Sequence, residues 1–157
     1  MPHPTFHLKK GDKVPLVAVS DENGKHLDWS EYLGKKVVLF FYNSDGSETC
    51  TKECLNIRDG YGTLLNAGYE VIGCSPDSSR KHLNFISKHN LPYRLIVDSD
   101  LELAKAFGIY GYKKFMGRES MAIHRKTFII DEEGKIERTI NKVVSAKHTE
   151  QIISGED

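Results

Sequence analysis

Two cysteines, Cys50 and Cys54, lie four residues apart in the segment SDGSETCTKEC (44–54), and their thiols are the groups here best suited to chemistry. The segment follows KKVVLFFY (35–42), an apolar run typical of a strand buried on both faces. A thiol can be a small core side chain, a metal ligand or a nucleophile. The spacing alone does not choose between these roles, so the surrounding pattern has to decide.

A metal site fits the cysteine pattern poorly. Cys74 lies twenty residues beyond Cys54, Ile57 stands where a cluster motif would place a further cysteine, and His3 and His7 lie in a proline-flanked tail. We therefore predict no metal and no other cofactor. The C-x-x-C motif of disulfide reductases is one residue shorter than the spacing here, which argues against a simple disulfide reductase.

The rest of the sequence predicts elements that place Cys50 at the start of a helix. Apolar runs predict strands, amphipathic segments predict helices, and the run after the DEEGK turn alternates like a hairpin partner. The expected strands are 35–42, 69–75, 93–98, 126–131 and 136–143, and the expected helices are 48–67, 78–89, 100–107 and 146–153. The resulting order, β-α-β-α-β-α-β-β-α, predicts an α/β fold with a mixed, mostly parallel sheet and helices on both faces. Asp77 and Ser99 are the expected helix N-caps, and Gly108 is the expected stop.

The first helix carries both cysteines on its inward face. Its apolar stripe has helical spacing and consists of Cys50, Cys54, Ile57, Tyr61 and Leu64. Cys50 would lie in the first turn, beyond the carboxyl end of a central strand, where open α/β sheets build their sites. Unpaired N–H groups and the positive end of the helix dipole favour a thiolate there. This position favours chemistry over simple packing for Cys50.

Composition predicts one ordinary domain over residues 1–157 and excludes several classes of protein. Lys plus Arg and Asp plus Glu number 22 each, so the excess positive charge of a nucleic-acid-binding protein is missing. The N-terminus lacks the apolar core of a signal peptide, and no apolar run approaches the ~20 residues that span a bilayer. Three cysteines do not make a secreted disulfide scaffold. We therefore expect a cytoplasmic protein that does not bind membranes or nucleic acid.

The segment FFYNSDGSETCTKECLNIRD (40–59) resembles the active-site segment of the peroxiredoxins, most closely the Q-type, or bacterioferritin comigratory protein, class. The resemblance covers almost the whole chain, through LKKGDKVPL (8–16), VIGCSPDS (71–78), the long segment 107–136 and KHTEQII (147–153). It implies a single thioredoxin-like domain that reduces hydrogen peroxide and organic hydroperoxides. It also implies that thioredoxin or a similar dithiol protein supplies the electrons, and that the chain is a monomer or a homodimer.

The resemblance assigns roles to individual residues. Cys50 matches the peroxidatic cysteine, whose thiolate attacks the O–O bond and becomes a sulfenic acid. Ser47 matches the hydroxyl residue that donates to the thiolate or the peroxide, although it could equally be a helix cap. Arg125 matches the arginine that holds a positive charge beside the sulfur. Glu53 is expected to have a supporting role at most, and His148 is expected to be an ordinary helix-end residue.

Two departures from the family pattern concern the loop and the second cysteine. Asn43 stands where the family has proline, and Leu55 and Ile86 stand at the usual positions of the resolving cysteine. Cys54 comes one residue early, and side chains four apart on a helix are too far apart to form a disulfide unless the first turns unwind. Because neither usual position holds a cysteine, Cys54 is the candidate resolving cysteine. Cys74 as the resolving residue, or an external thiol, remain alternatives, although Cys74 is expected to be a core residue.

Two other functions fit the same residues. A protein thiol–disulfide oxidoreductase would exchange a Cys50–Cys54 pair with protein disulfides. A non-enzymatic peroxide sensor or holdase would use oxidation to open the first turn of the helix.

Overall fold

The computed structural model describes residues 6–155, apart from the side chain of Phe115. In chain order its elements are β1 (Lys36–Phe41), α1 (Glu48–Asn66), β2 (Tyr69–Ser75), α2 (Ser79–His89), β3 (Arg94–Val97), α3 (Glu102–Ala106), β4 (Tyr110–Phe115), β5 (Arg118–Ile123), β6 (Thr127–Ile130), β7 (Ile136–Ile140) and α4 (His148–Ser154). Short 3₁₀ turns lie at Trp29–Glu31 and Ser145–Lys147. The predicted α/β class is confirmed, and all five strands expected from the sequence are present.

The central sheet has the order β3-β2-β1-β6-β7. β1 pairs with β2 and β2 with β3 in parallel, whereas the β1–β6 and β6–β7 pairs are antiparallel. The predicted mixed sheet is confirmed, although it is less parallel than expected, because two of its four strand pairs are antiparallel. The tight turn after β6 forces β7 to return beside it, and Gly134, with φ of +77°, supplies the left-handed residue of that turn.

The central strand β1 separates two hydrophobic cores. Val37, Leu39 and Phe41 point to one face, where α3 packs. Val38 and Phe40 point to the other, where α1, α2 and α4 pack. Because successive side chains of a strand alternate between faces, a strand buried on both sides must be apolar throughout. This arrangement confirms the prediction of helices on both faces.

The hairpin formed by β4 and β5 was missed by the sequence analysis. Met116 and Gly117 form its two-residue turn, with φ of 51° and 80°. Positive φ at both turn positions is the geometry that lets two strands keep their twist. Within residues 6–155 the hairpin pairs only with itself, in a separate two-stranded sheet, so its sequence lacks the apolar run that marks a buried strand.

Two expected helix caps were also placed wrongly. Ser78, not Asp77, is the N-cap of α2, and its side chain accepts the N–H of Lys81. At α3 the capping acceptor is Asp98 instead of Ser99, because its carboxylate accepts the N–H groups of Leu103 and Ala104. In both cases the polar residue next to the expected one accepts the free N–H groups. Sequence spacing alone does not distinguish between two such neighbours.

A close contact between α1 and α4 explains one glycine of the first helix. A Cβ at Gly60 would lie 2.3 Å from the side chain of Thr149, so only glycine permits this approach. Asn56 fixes the contact, since its side-chain oxygen accepts the N–H of Thr149 at 2.7 Å. This docking brings the start of α4 against the middle of α1, just beyond the turns that hold the cysteines.

Candidate active site

Cys50 lies in the first turn of α1, as predicted, and is only 2% exposed. Ser47 is the N-cap of that helix, and its Oγ accepts the backbone N–H of Cys50 at 3.2 Å. This bond uses a lone pair of the hydroxyl oxygen and leaves its proton available to a thiolate or a bound oxygen. The helix-cap role and the expected donor role of Ser47 are therefore compatible.

Cys54 is fully buried on the same face of α1 as Cys50, and the helix between them is continuous. The Tyr93 hydroxyl donates to the backbone carbonyl of Cys54 at 2.7 Å. Burial, with the nearby Glu53 as a smaller cause, raises the pKa of the Cys54 thiol well above its usual range. All three cysteines are free thiols in this structure. Cys54 is thus held as a neutral thiol inside an intact helix.

Cys74 lies on β2 and points to the opposite core from Cys50 and Cys54. It is 1% exposed, and burial raises its thiol pKa well above the usual range. The sheet therefore separates Cys74 from Cys50, which favours the core role expected for it.

A buried cluster of polar side chains lies one turn along α1 from Cys50. Glu53 is fully buried, with one carboxylate oxygen 3.8 Å from Nη1 of Arg125 and the other 3.5 Å from Nδ1 of His148. Neither distance is a hydrogen bond, and both carboxylate oxygens and Nδ1 lack a hydrogen-bond partner within the described residues. Arg125 donates to Ser145 at 2.9 Å, and His148 Nε2 lies 2.7 Å from the Thr127 hydroxyl. The cluster joins Arg125, a predicted site residue, to Glu53 and His148, which were not predicted to be site residues.

Burial controls the charges in this cluster. It raises the pKa of Glu53 from its usual 4.5 to about 8, although the charge of Arg125 opposes the shift. Burial, and secondarily Arg125, lowers the pKa of His148 from 6.5 to about 3. At neutral pH Glu53 is therefore mostly protonated and His148 is neutral, so the contact with Arg125 is not a formed salt bridge. The positive charge of Arg125 stays largely uncancelled.

The sequence contained a signal for Glu53 that the prediction passed over. Cys50, Glu53, Cys54 and Ile57 follow the i, i+3, i+4, i+7 spacing of one helix face, and that face is the buried one. The burial of His148 carried no comparable signal. It depends on how α4 docks on α1. His148 is the first residue of α4, as expected for a helix-end residue, but the docking buries its side chain completely.

The shifted pKa of Glu53 predicts how stability depends on pH. In the unfolded chain Glu53 loses its proton near pH 4.5, and in the folded protein it does so near pH 8. Between these values the folded state binds more protons, so Glu53 makes stability fall as pH rises, by up to about 1.4 kcal/mol per pH unit. Glu53→Gln removes this loss. The variant's free energy of unfolding, minus that of the wild type, should therefore increase from pH 4.5 to pH 8 in urea titrations.

The matched control is Glu48→Gln, on the same helix, whose side chain is 88% exposed. Its difference from the wild type should stay nearly constant over this range. His148 has the opposite effect on stability. Its side chain takes up a proton below pH 6.5 in the unfolded chain but only near pH 3 in the folded protein, so it makes stability fall as pH falls. The wild type and both variants share this loss of stability at low pH as long as His148 stays buried. A constant difference for Glu53→Gln would contradict the assigned burial effect.

A second buried network holds the loop between β1 and α1. Asp45 accepts hydrogen bonds from the Tyr42 hydroxyl at 2.5 Å and from Nδ1 of His82 at 2.6 Å. The backbone N–H of Asp45 donates to Asp77 at 2.7 Å. These bonds fasten the loop in which Asn43, four residues before Ser47, replaces the family's proline. They tie it to α2 and to the segment before α2.

This network favours the charged form of His82. Its Nε2 lies 2.8 Å from the carbonyl oxygen of Ile96 and its Nδ1 faces Asp45, so both ring nitrogens point at acceptors. Burial opposes the charged ring, but the bonds to Asp45 and Ile96 outweigh it and raise the His82 pKa. Asp45, Asp77 and His82 together have the composition of a metal site. Both ring nitrogens are already hydrogen-bonded, however, so neither is free to ligate a metal.

Asp45→Asn should loosen this loop. It replaces the charged partner of a buried ion pair, whose side chains are 6% and 0% exposed, and should cost about 3 kcal/mol of stability. The rate of Cys50 oxidation per folded molecule should also fall several-fold, because Ser47 and the first turn of α1 lose their anchor. Chemical unfolding and a competitive peroxidase assay measure the two effects.

Asp98→Asn is the control for the loop variant, because it also weakens a buried carboxylate that accepts two hydrogen bonds, at the start of α3. It should lose stability without slowing Cys50 oxidation. Equal slowing in both variants would show that general destabilisation, and not the loop anchor, is responsible.

In the described part of the chain, no helix is long and apolar enough to cross a membrane.

Comparison with known proteins places this site in a family. Residues 10–139 match the model of the AhpC/TSA family, so the chain belongs to that family, which includes the peroxiredoxins. Peroxiredoxin Bcp of Bacillus subtilis is 38% identical over 146 residues, covering 93% of each chain. Peroxiredoxin Bcp of Escherichia coli K12 is 32% identical over 147 residues, covering 94% of each.

Solved structures give the same result for the fold. A cysteine-to-serine mutant of Xylella fastidiosa PrxQ superposes with a TM-score of 0.87 at 25% identity, with 95% of each chain covered. Peroxiredoxin Q of Xanthomonas campestris superposes with a TM-score of 0.84 at 27% identity, over 93% of this chain and 95% of that one. The resemblance to Q-type peroxiredoxins and the thioredoxin-like fold are thus confirmed.

Proposed function

We propose that Cys50 is the nucleophile with which this thiol-dependent peroxidase reduces hydroperoxides. The Cys50 thiolate attacks one oxygen of ROOH, the O–O bond breaks, and the sulfur is oxidised to a sulfenic acid while RO⁻ leaves and takes up a proton. The observation that carries the proposal is the joining of three features. Cys50 lies in the first turn of a helix, Ser47 caps that helix at the Cys50 N–H, and the cation of Arg125 lies beside Glu53, one turn away.

Each neighbour of Cys50 has a defined role in this proposal. Ser47 offers its hydroxyl proton to the thiolate or to the peroxide oxygen. Arg125 supplies a fixed charge that stabilises the thiolate and the developing negative charge on the leaving oxygen. Glu53, protonated at neutral pH, fills the space beside Arg125 without cancelling its charge. The relative from Xanthomonas campestris described for alkyl peroxide reduction supports organic hydroperoxides as substrates alongside hydrogen peroxide.

We further propose that Cys54 resolves the sulfenic acid. Its thiol would attack the Cys50 sulfur, form a disulfide and release water, and two electrons from thioredoxin or a similar dithiol protein would restore both thiols. The first turns of α1 must unwind for this step. The hydrogen bond from Tyr93 to the Cys54 carbonyl opposes the unwinding, so the resolving step should be slower than the oxidation.

Peptide mapping after one equivalent of peroxide tests the role of Cys54. After alkylation of free thiols, the wild type should yield a Cys50–Cys54 link, and Tyr93→Phe should form it several times faster. Cys54→Ala should instead accumulate a sulfenic acid at an unchanged rate of oxidation. A Cys50–Cys74 link, or a sulfenic acid that persists in the wild type, would contradict the assignment.

The function itself is tested with the purified protein, thioredoxin, thioredoxin reductase and NADPH. Addition of hydrogen peroxide should start NADPH consumption that depends on this protein. Insulin reduction without peroxidase activity would identify a disulfide oxidoreductase instead, and oxidation without turnover would identify a sensor or holdase.

We propose a single domain over residues 1–157 that works as a monomer or homodimer in the cytoplasm, where free thiols and dithiol reductants coexist.

A further inference from the structure

A cleft of about 380 Å³ opens beside Arg125, and its lining is strongly basic. Among the described residues that line it, none carries a carboxylate, although the whole chain has equal numbers of acidic and basic side chains. Besides Phe6, Asn141 and Val143, the lining consists of Lys113, His124, Arg125, Lys126 and Lys142. The cleft therefore has a local excess of positive charge, which acidic side chains elsewhere in the chain offset.

Two cations of this cleft, Arg125 and Lys126, are partly buried. The ammonium of Lys126 lies 3.8 Å from the ring centroid of Phe6 and donates to Asn141 at 2.6 Å. Burial lowers the pKa of Lys126. Burial lowers the pKa of His124, the bond to the Tyr112 carbonyl opposes this shift, and the charges of Lys113 and Lys126 add to it. An anion entering the cleft would relieve this repulsion among Lys113, Lys126 and Arg125.

The shape of the cleft favours a small molecule. Its volume lies within the usual range for sites that enclose small organic ligands, about 300–1,000 Å³. Phe6 and Val143 offer apolar surface for a carbon skeleton, while Lys113 and Lys142 are exposed at positions where they can meet a charged group. Arg125 lines the cleft and also contacts Glu53 on α1, so the cleft adjoins the proposed peroxidase site.

We propose that this cleft binds the carboxylate of anionic organic hydroperoxides and so makes them preferred substrates. The inference rests on the proposed function and adds a substrate class to it. Lys113 and Lys142 bind the carboxylate, Phe6 and Val143 contact the carbon skeleton, and the hydroperoxide end extends past Arg125 toward Cys50. The reaction at the sulfur is unchanged, and binding energy from a remote charge raises its rate.

A matched pair of substrates tests the proposal: 4-carboxycumene hydroperoxide and its methyl ester, which differ only in charge at the end remote from the O–O bond. In the thioredoxin-coupled assay at low salt, wild-type kcat/KM should be about tenfold higher for the carboxylate. Added NaCl should reduce that ratio. In Lys113→Ala/Lys142→Ala the ratio should fall to about one, with turnover of the ester and of hydrogen peroxide unchanged.

The control is Lys25→Ala/Lys35→Ala, which removes the same charge from two exposed lysines outside the cleft and should keep the wild-type ratio. Equal kcat/KM for both substrates in the wild type would overturn the proposal. So would a cleft variant that keeps the wild-type ratio, or one that raises only the KM for thioredoxin, which would identify the cleft as a docking surface for an acidic protein. Absence of hydrogen peroxide turnover in the wild type would instead contradict the proposed function itself, and this inference with it.

Discussion

Replacing Cys50 with serine is expected to abolish peroxide-dependent turnover, with a loss of at least about 10³-fold in the thioredoxin-coupled assay. A serine hydroxyl keeps nearly the same shape in the first turn of α1 but does not ionise at neutral pH, so the attack on the O–O bond loses its nucleophile. The fold should persist, because the substitution preserves the backbone N–H that Ser47 accepts. Circular dichroism and urea unfolding verify that the variant is folded.

The control for this prediction is Cys74→Ala. It also removes a buried thiol, but from the core on the opposite face of the sheet. Turnover by this variant should stay within about twofold of the wild type, because a small apolar replacement far from Cys50 affects mainly packing. Full activity in Cys50→Ser, or loss of activity in Cys74→Ala at unchanged folding, would assign the nucleophile to a different thiol.

Replacing Arg125 with alanine is expected to slow the oxidation of Cys50 by about 10²-fold, the usual effect of removing one group that stabilises developing charge. The guanidinium cannot lose its charge, and protonated Glu53 does not cancel it, so its removal takes away the fixed cation of the site. The thiolate and the leaving oxygen would both lose stabilisation. Competition with horseradish peroxidase for hydrogen peroxide measures this single step without involving the reductant.

Arg125→Lys separates charge from geometry. It keeps a cation but not the planar group that bonds Ser145, so it should recover part of the rate and leave a loss of about tenfold. Ser145→Ala, which removes only this partner, should have a smaller effect than either substitution. A wild-type rate in Arg125→Ala would show that the cation does not act on Cys50, and would leave the helix N-terminus as the source of thiolate stabilisation.

The position of Arg125 follows from the pairing of two strands distant in sequence. β1 and β6 run antiparallel, with Phe40 opposite Thr127, so the end of β1 lies beside the start of β6. The backbone bond from the N–H of Phe41 to the carbonyl of Lys126, at 3.0 Å, continues this pairing beyond β6. Arg125 therefore lies near the loop that leads from β1 to Cys50. The antiparallel pairing of β1 with β6 is what brings the cation to the site.

The two buried networks divide the support of the site between them. The Asp45 network anchors the loop before Cys50 to α2, at the position where Asn43 replaces proline. The Glu53 cluster connects the helix after Cys50 to Arg125 and to α4. Each contains a titratable group whose pKa is shifted by its surroundings, so pH should act on the site through both.

The sequence by itself determined the local features of this protein, because helix and strand periodicity are properties of neighbouring residues. The apolar run before residue 43 identified β1, and the spacing of Cys50, Cys54 and Ile57 placed both thiols on the inward face of α1. The position of Cys50 just after a strand identified it as the first residue to test. Motif resemblance added Ser47 and Arg125 as its partners.

Only the tertiary structure decided which distant polar groups meet. His148 reaches Glu53 because α4 docks on α1 through Gly60, and His82 reaches Asp45 because α2 packs beside the loop. No pattern of neighbouring residues encodes such contacts, since they depend on the angle and separation at which whole elements pack. The same packing excludes water from Glu53 and His148. Whether a carboxyl carries its charge at neutral pH is therefore a property of the folded protein and cannot be read from the sequence.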